Sequence, residues 1–230
     1  MTIPTNSPDK SPAALIDWSD IDTVLLDMDG VLLDLRYDNW FWRDHVPACY
    51  AARHDVTLEE AKSRVYPKMR AVRGTIYWYC ADYWSDTLDL DIVQMKSNSA
   101  HLVSLRPQVV DFLVWLRKVV DALHLVTNAH RKAIEVKFSQ TGLGGYFDEI
   151  ICAHDYGVPK EDTSFWVEIR RRHDFDPSRT LFIDDNPDVL SSAREFGVSH
   201  LLGVRQPDSG AAVKDFQEFD AIHSFAEIMP

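Results

Sequence analysis

The sequence predicts an α/β protein: a Rossmann-like parallel sheet core with a small all-helical segment inserted after its first strand. Three observations carry that expectation. Short apolar runs alternate with amphipathic helical patterns, the order of a parallel sheet with crossover helices. Three of those runs end in polar, reactive residues, where open α/β sheets bind their ligands. One stretch, residues 36–100, is dense in aromatics and shows no strand alternation.

The elements follow from the chain in order. Residues 1–16 hold three prolines among their first twelve positions and read as a loose arm. Residues 22–27, DTVLLD, are an apolar run closing on an acid, expected as a buried strand. Within 36–100, helices are expected over 57–72 and 75–86. This segment balances nine Lys and Arg against nine Asp and Glu, so the chain's net charge of −12 resides in the remainder. In 107–120, Val109, Phe112, Leu113, Leu116 and Val120 share one helical stripe. Residues 121–127 form a second strand ending at Thr127-Asn128, followed by a helix over 131–140. Residues 148–152 are a weaker strand and 163–173 a helix. Residues 179–184, RTLFID, are another buried strand, leading into Asp184-Asp185-Asn186. The helix over 187–196 opens on Pro187, tolerated in a first turn, and closes at Gly197. Residues 198–204, VSHLLGV, are another weaker strand. The expected division is therefore arm 1–16, core 17–35 with 101–230, and helical cap 36–100.

Composition excludes several classes. A chain of 230 residues with 46% hydrophobic and 26% charged residues is an ordinary globular one, neither disordered nor fibrous. A net charge of −12 without a basic stripe argues against a nucleic-acid partner. No apolar run is long enough to span a membrane, and the start lacks a secretory pattern. Cys49, Cys80 and Cys152 are odd in number and far apart, so no disulfide framework is expected and a reduced, cytoplasmic setting is.

The sharpest motif is Asp27-Met28-Asp29-Gly30-Val31-Leu32-Leu33-Asp34. Carboxylates two residues apart lie on one face of a strand, about 7 Å apart along it. Gly30 supplies the freedom to turn at the strand end. The pair then suits one nucleophile and one general acid/base. Their mutual repulsion calls for a cation, and hard Mg²⁺ fits an all-oxygen set.

With this motif the chain resembles the haloacid dehalogenase (HAD) superfamily of phosphatases, with Val31 where Thr is frequent. The resemblance implies three further stations, and each has a match. Thr127, with the Asn128 backbone N–H, would hold a phosphoryl oxygen. Lys160, in YGVPKED, would pair with phosphate and nucleophile. Asp184 and Asp185 would complete the metal set, Asp185 directly and Asp184 through water or behind it. The stations are separated by 100, 33 and 25 residues. The implied mechanism is attack by Asp27 on phosphorus, with Asp29 as acid and then base. Mg²⁺ would bridge Asp27, the Asp29 carbonyl, Asp185 and the phosphate. An Asp at position 29 disfavours the dehalogenase branch.

Blocks such as DNWFWRDHVP, IYWYCADYWSDTLDLDI and LLGVRQPDSG are similar to those of the bacterial purine 5′-nucleotidases that act on GMP and IMP. That resemblance implies a purine nucleoside monophosphate as the small-molecule partner. Trp40, Trp42, Tyr77, Trp78 and Tyr83 are candidates for stacking on a base. Arg36, Arg70, Arg73 and His130 are candidates for ribose, base or phosphate. A sugar-phosphate or phosphoglycolate phosphatase, a phosphomutase and an inactive binding module on this fold stay open as alternatives.

Overall fold

A computed structural model describes residues 15–229. The expected arm at 1–16 lies outside them except for its last two residues. Six parallel strands form one sheet: β1 (Thr23–Leu26), β2 (Ala122–Thr127), β3 (Glu149–Cys152), β4 (Thr180–Asp184), β5 (His200–Val204) and β6 (Ala221–Ile222). Their spatial order is β3-β2-β1-β4-β5-β6. Thus β1 is central, paired with β2 on one side (Leu26 opposite Leu125) and β4 on the other (Leu26 opposite Ile183). The chain first builds outward through β2 and β3, then crosses β1 and builds the other way. That reversal leaves a crevice at the carboxyl end of β1.

Side chains alternate across the sheet. Val24, Leu26, Leu123, Leu125, Leu181 and Ile183 enter one apolar cluster, while Leu25, Val126 and Phe182 enter the other. Both faces are covered, which is why the strands read as continuous apolar runs.

Five helices stand between β1 and β2 before the strip that covers the sheet: α1 (Arg36–Trp40), α2 (Val46–His54), α3 (Leu58–Ala71), α4 (Ala81–Leu88) and α5 (Ile92–Asn98). Then follow α6 (Val109–Val119), α7 (Arg131–Thr141) after β2, α8 (Thr163–Arg172) after β3 and α9 (Pro187–Phe196) after β4. Helix α6 packs its Val109, Phe112, Leu113 and Leu116 stripe inward. Helix α9 begins with the Asn186 side chain accepting from Asp188 N–H, has Pro187 in its first turn and ends on Gly197 at φ 116°. The inserted helices share the first apolar cluster with the sheet through Phe41, Trp84, Leu88 and Ile92.

One expectation is corrected and one strand was not foreseen. The helix expected over 75–86 is broken at Cys80, whose backbone is extended. A 3₁₀ turn (Ile76–Tyr79) precedes it, and α4 starts beyond it with the Cys80 sulfur facing Tyr83 N–H. The edge strand β6 is only two residues long, too short for any alternation pattern to announce it. Among the described residues no helix is long and apolar enough to cross a membrane.

Candidate active site

The strand ends bring the distant motifs together. Asp27 continues β1, its N–H donating to Ile183 O at 3.0 Å. The chain then folds back: Leu32 and Leu33 N–H both donate to Met28 O, and Gly30 N–H donates to Leu33 O at 2.8 Å. Gly30 takes φ 89°, and a Cβ there would stand 2.6 Å from Asp185 Cγ. The backbone of one motif is thus pressed against the carboxylate of another.

Lys160 is the hub. It is 2% exposed, and its ammonium donates to Asp27 Oδ1 (2.6 Å), Asp184 Oδ2 (2.7 Å) and the Val126 carbonyl (3.1 Å). Asn128 holds the loop that carries it: Asn128 Oδ1 accepts from Lys160 N–H at 2.8 Å, and Nδ2 donates to Glu161 Oε2 at 2.9 Å. Tyr79, from the inserted segment, donates to Glu161 Oε1. The Thr127 hydroxyl accepts from Ala129 N–H at 3.1 Å, which fixes the turn after β2.

Asp27, Asp184 and Asp185 offer carboxylate oxygens within 4.8 Å of one another. Asp27 and Asp184 share one buried ammonium, that of Lys160, while the half-exposed Lys214 reaches Asp185 Oδ2 from outside at 2.9 Å. Burial, with repulsion from neighbouring carboxylates, outweighs Lys160 and pushes Asp27 upward and Asp184 to about 8. An all-oxygen, charge-deficient set of this kind fits a hard divalent cation.

Asp29 faces the other way, into a second buried chain that the motifs did not announce. Lys137 Nζ bridges Asp29 Oδ1 and Asp38 Oδ2 at 2.7 Å each, and Lys96 Nζ reaches Asp38 Oδ1 at 3.0 Å. Burial pushes the Asp29 carboxyl to about 7 although Lys137 opposes it. Burial acts on Asp38 too, but its two lysines win and hold it near 2. Lys96 also sits 4.2 Å above the Phe41 ring.

Asp29 opens onto a cavity of 520 Å³ walled by Trp42, Trp78, Arg70, Arg73 and His130, among others. That volume suits a small-molecule ligand. Of the expected specificity residues, Trp42, Arg73 and His130 line this cavity, as do Trp78 and Arg70. Trp40 and Tyr77 do not. The Trp40 ring stacks on His45 at 4.8 Å, and Tyr77 is 55% exposed against Tyr83. Arg36 is exposed and Tyr83 packs on Trp84, so neither reaches the cavity. A second groove, lined by Ile134, Phe138 and Gly144 on the outer side of α7, holds none of the expected residues.

Comparison with known proteins agrees with this geometry. Residues 21–197 match the model of the haloacid dehalogenase-like hydrolases. The chain is 40% identical to the GMP/IMP nucleotidase YrfG of Escherichia coli (strain K12), over 94% of this chain and 97% of that one. It is 24% identical to phosphoglycolate phosphatase 1 of Pseudomonas aeruginosa, over 76% of this chain and 66% of the other. Among solved structures, the HAD phosphatase from Thermococcus onnurineus superposes with a TM-score of 0.74 at 22% identity, covering 90% of this chain and 96% of that one.

Proposed function

Because the chain belongs to the haloacid dehalogenase-like hydrolases, we propose that it is a phosphomonoesterase hydrolysing the purine nucleoside 5′-monophosphates GMP and IMP through an aspartyl-phosphate on Asp27. The observation that supports this best is the cavity itself: Asp29 lies on its wall beside Trp42, Trp78, Arg70 and Arg73. Flat indoles suit a purine, and guanidinium groups suit its carbonyl oxygens or a ribose hydroxyl. In this reading residues 36–100 act as the cap that supplies those walls, and 17–35 with 101–230 supply the chemistry. The setting is cytoplasmic, with free nucleotide as the partner and neither nucleic acid nor membrane.

An Asp27 carboxylate oxygen attacks phosphorus as the bond to the ester oxygen breaks. Asp29 gives its proton to the departing nucleoside oxygen; a carboxyl raised to about 7 is suited to that at neutral pH. In the second half, Asp29 takes a proton from water. The water oxygen bonds to phosphorus, and the Asp27–phosphorus bond breaks to release phosphate. Lys160 aligns Asp27 and offsets charge as it develops. The Thr127 hydroxyl and the Asn128 backbone N–H hold a phosphoryl oxygen at the end of β2. Lys137 orients Asp29. Asp27, the Asp29 carbonyl and Asp185 would hold Mg²⁺, with Asp184 behind them, and the bound cation supplies neutralisation between phosphate and carboxylates.

The test is phosphate release from GMP, IMP, AMP, UMP, glucose 1-phosphate and phosphoglycolate with Mg²⁺. The expected result is kcat/KM for GMP and IMP at least about tenfold above the sugar and glycolate esters. Arg73→Ala should raise KM for GMP while leaving the rate on p-nitrophenyl phosphate, which has no base. A preference for glucose 1-phosphate or phosphoglycolate would overturn the purine assignment.

A further inference from the structure

A second group of metal-ligating atoms lies outside the Asp27 centre, across the seam between inserted helices and sheet. Cys80 occupies the extended link before α4, His130 stands immediately before α7, and His154 lies in the turn after β3. The Cys80 sulfur and one nitrogen from each imidazole lie within 4.8 Å of one another. The two rings meet edge to face, with centroids 4.8 Å apart at 81°. His130 Nδ1 and His154 Nε2 are buried and make no hydrogen bond. Four buried side-chain polar atoms among the described residues are left in that state, and two of them meet here. Buried polar atoms are normally paired, so two unpaired nitrogens on imidazoles clustered with one thiol point to a missing partner.

We propose that Cys80, His130 and His154 form a binding site for a borderline-soft divalent cation of the Zn²⁺ type, which ties the inserted helices to the sheet. One sulfur and two imidazole nitrogens are donors that favour Zn²⁺ and disfavour Mg²⁺. The site is therefore chemically distinct from the all-carboxylate centre. Its outer contacts fit the role. Asp82 Oδ2 lies 3.7 Å from His130 Nε2, and Lys132 Nζ holds that carboxylate at 2.7 Å. A carboxylate behind a ligating imidazole orients the ring and strengthens it as a donor. Tyr83 N–H faces the Cys80 sulfur at 3.4 Å. Ligand atoms around a tetrahedral Zn²⁺ lie roughly 3.5 Å apart, within the span these three donors occupy. His130 also lines the substrate cavity, which leaves the fourth position to water or a ligand from that side. The proposal does not depend on which phosphate ester is cleaved.

Metal-stripped, reduced full-length protein would be titrated with Co²⁺ in excess Mg²⁺, which keeps the carboxylate centre filled. The expected result is one equivalent of Co²⁺ with sulfur-to-cobalt charge-transfer absorption and tetrahedral visible bands, displaced by Zn²⁺. Cys80→Ser should abolish the charge-transfer band. His154→Gln should weaken binding at least about tenfold and decides the matter should Cys80→Ser fail to fold. Cys49→Ser should leave the band intact, although Cys49 lies 3.8 Å from His45 Nε2. Absence of sulfur-to-cobalt absorption in the wild type, its persistence in Cys80→Ser, or its loss in Cys49→Ser would overturn the proposal.

Discussion

Lys137 stands 2.7 Å from Asp29 and is 1% exposed, and its second contact, Asp38, lies equally close. The general acid/base of the proposed reaction is therefore not a free carboxylate on a strand end. It is the first member of a buried chain, Asp29–Lys137–Asp38–Lys96, that runs from the sheet into the inserted helices.

Removing the Lys137 charge leaves two buried carboxylates without their shared cation. Lys137→Met should lower stability by about 3–5 kcal/mol and kcat by roughly 10²-fold, with KM for GMP much less affected. Adding Asp38→Asn should recover part of the stability and little of the rate. Urea unfolding and steady-state kinetics on the two variants read both effects.

Gly30 carries two constraints at once, a left-handed backbone and contact with Asp185. Gly30→Ala should cost roughly 1–3 kcal/mol for the conformation and push Asp185 away from its place. Activity should fall even under conditions where the variant is fully folded. An active Gly30→Ala enzyme would show that the Asp27 loop does not need to press on Asp185.

His124 lies buried on β2 with Nδ1 unpaired. Burial first, then His173, lowers its affinity for a proton, against the pull of Glu149 and Asp148. The unfolded chain takes up a proton near pH 6.5 that the folded ring refuses. This contribution is full above that pH and is lost as pH falls below it. As pH falls from about 7.5 to about 5.5 the wild type should lose stability through this group. Urea unfolding should show that loss removed in His124→Leu.

Asp27, Asp184 and Asp185 converge with one buried ammonium, Lys160, on two of them and the half-exposed Lys214 on the third, and should welcome a divalent cation whether or not substrate is present. Mg²⁺ should raise the unfolding temperature of the wild type, and Asp185→Asn should abolish most of that rise. Chelation should stop phosphate release, and added Mg²⁺ should restore it. An unfolding temperature indifferent to Mg²⁺ would contradict the assignment of that centre.

Much of the core was legible because burial on both faces writes itself into short apolar runs. DTVLLD, DALHLVT and RTLFID appear as β1, β2 and β4 within a residue at each end. Their reactive ends meet because β1 lies where the strand order reverses. The second buried chain was not legible. On α7, Lys137 has the look of a solvated helix lysine, and only the packing of the inserted helices turns it inward. Asp38 and Lys96 were hidden for the same reason. Within 36–100, aromatic density announced a helical, apolar segment but not its orientation. Trp42 and Trp78 therefore face the cavity, while Trp40 and Tyr77 pack elsewhere.

The most direct test is the initial rate of phosphate release from GMP in saturating Mg²⁺, measured for the wild type and Asp27→Asn side by side. The reading predicts turnover by the wild type and a rate indistinguishable from background in the variant. Sustained GMP hydrolysis by Asp27→Asn would contradict it, since no covalent phosphoryl intermediate on that residue would then be required.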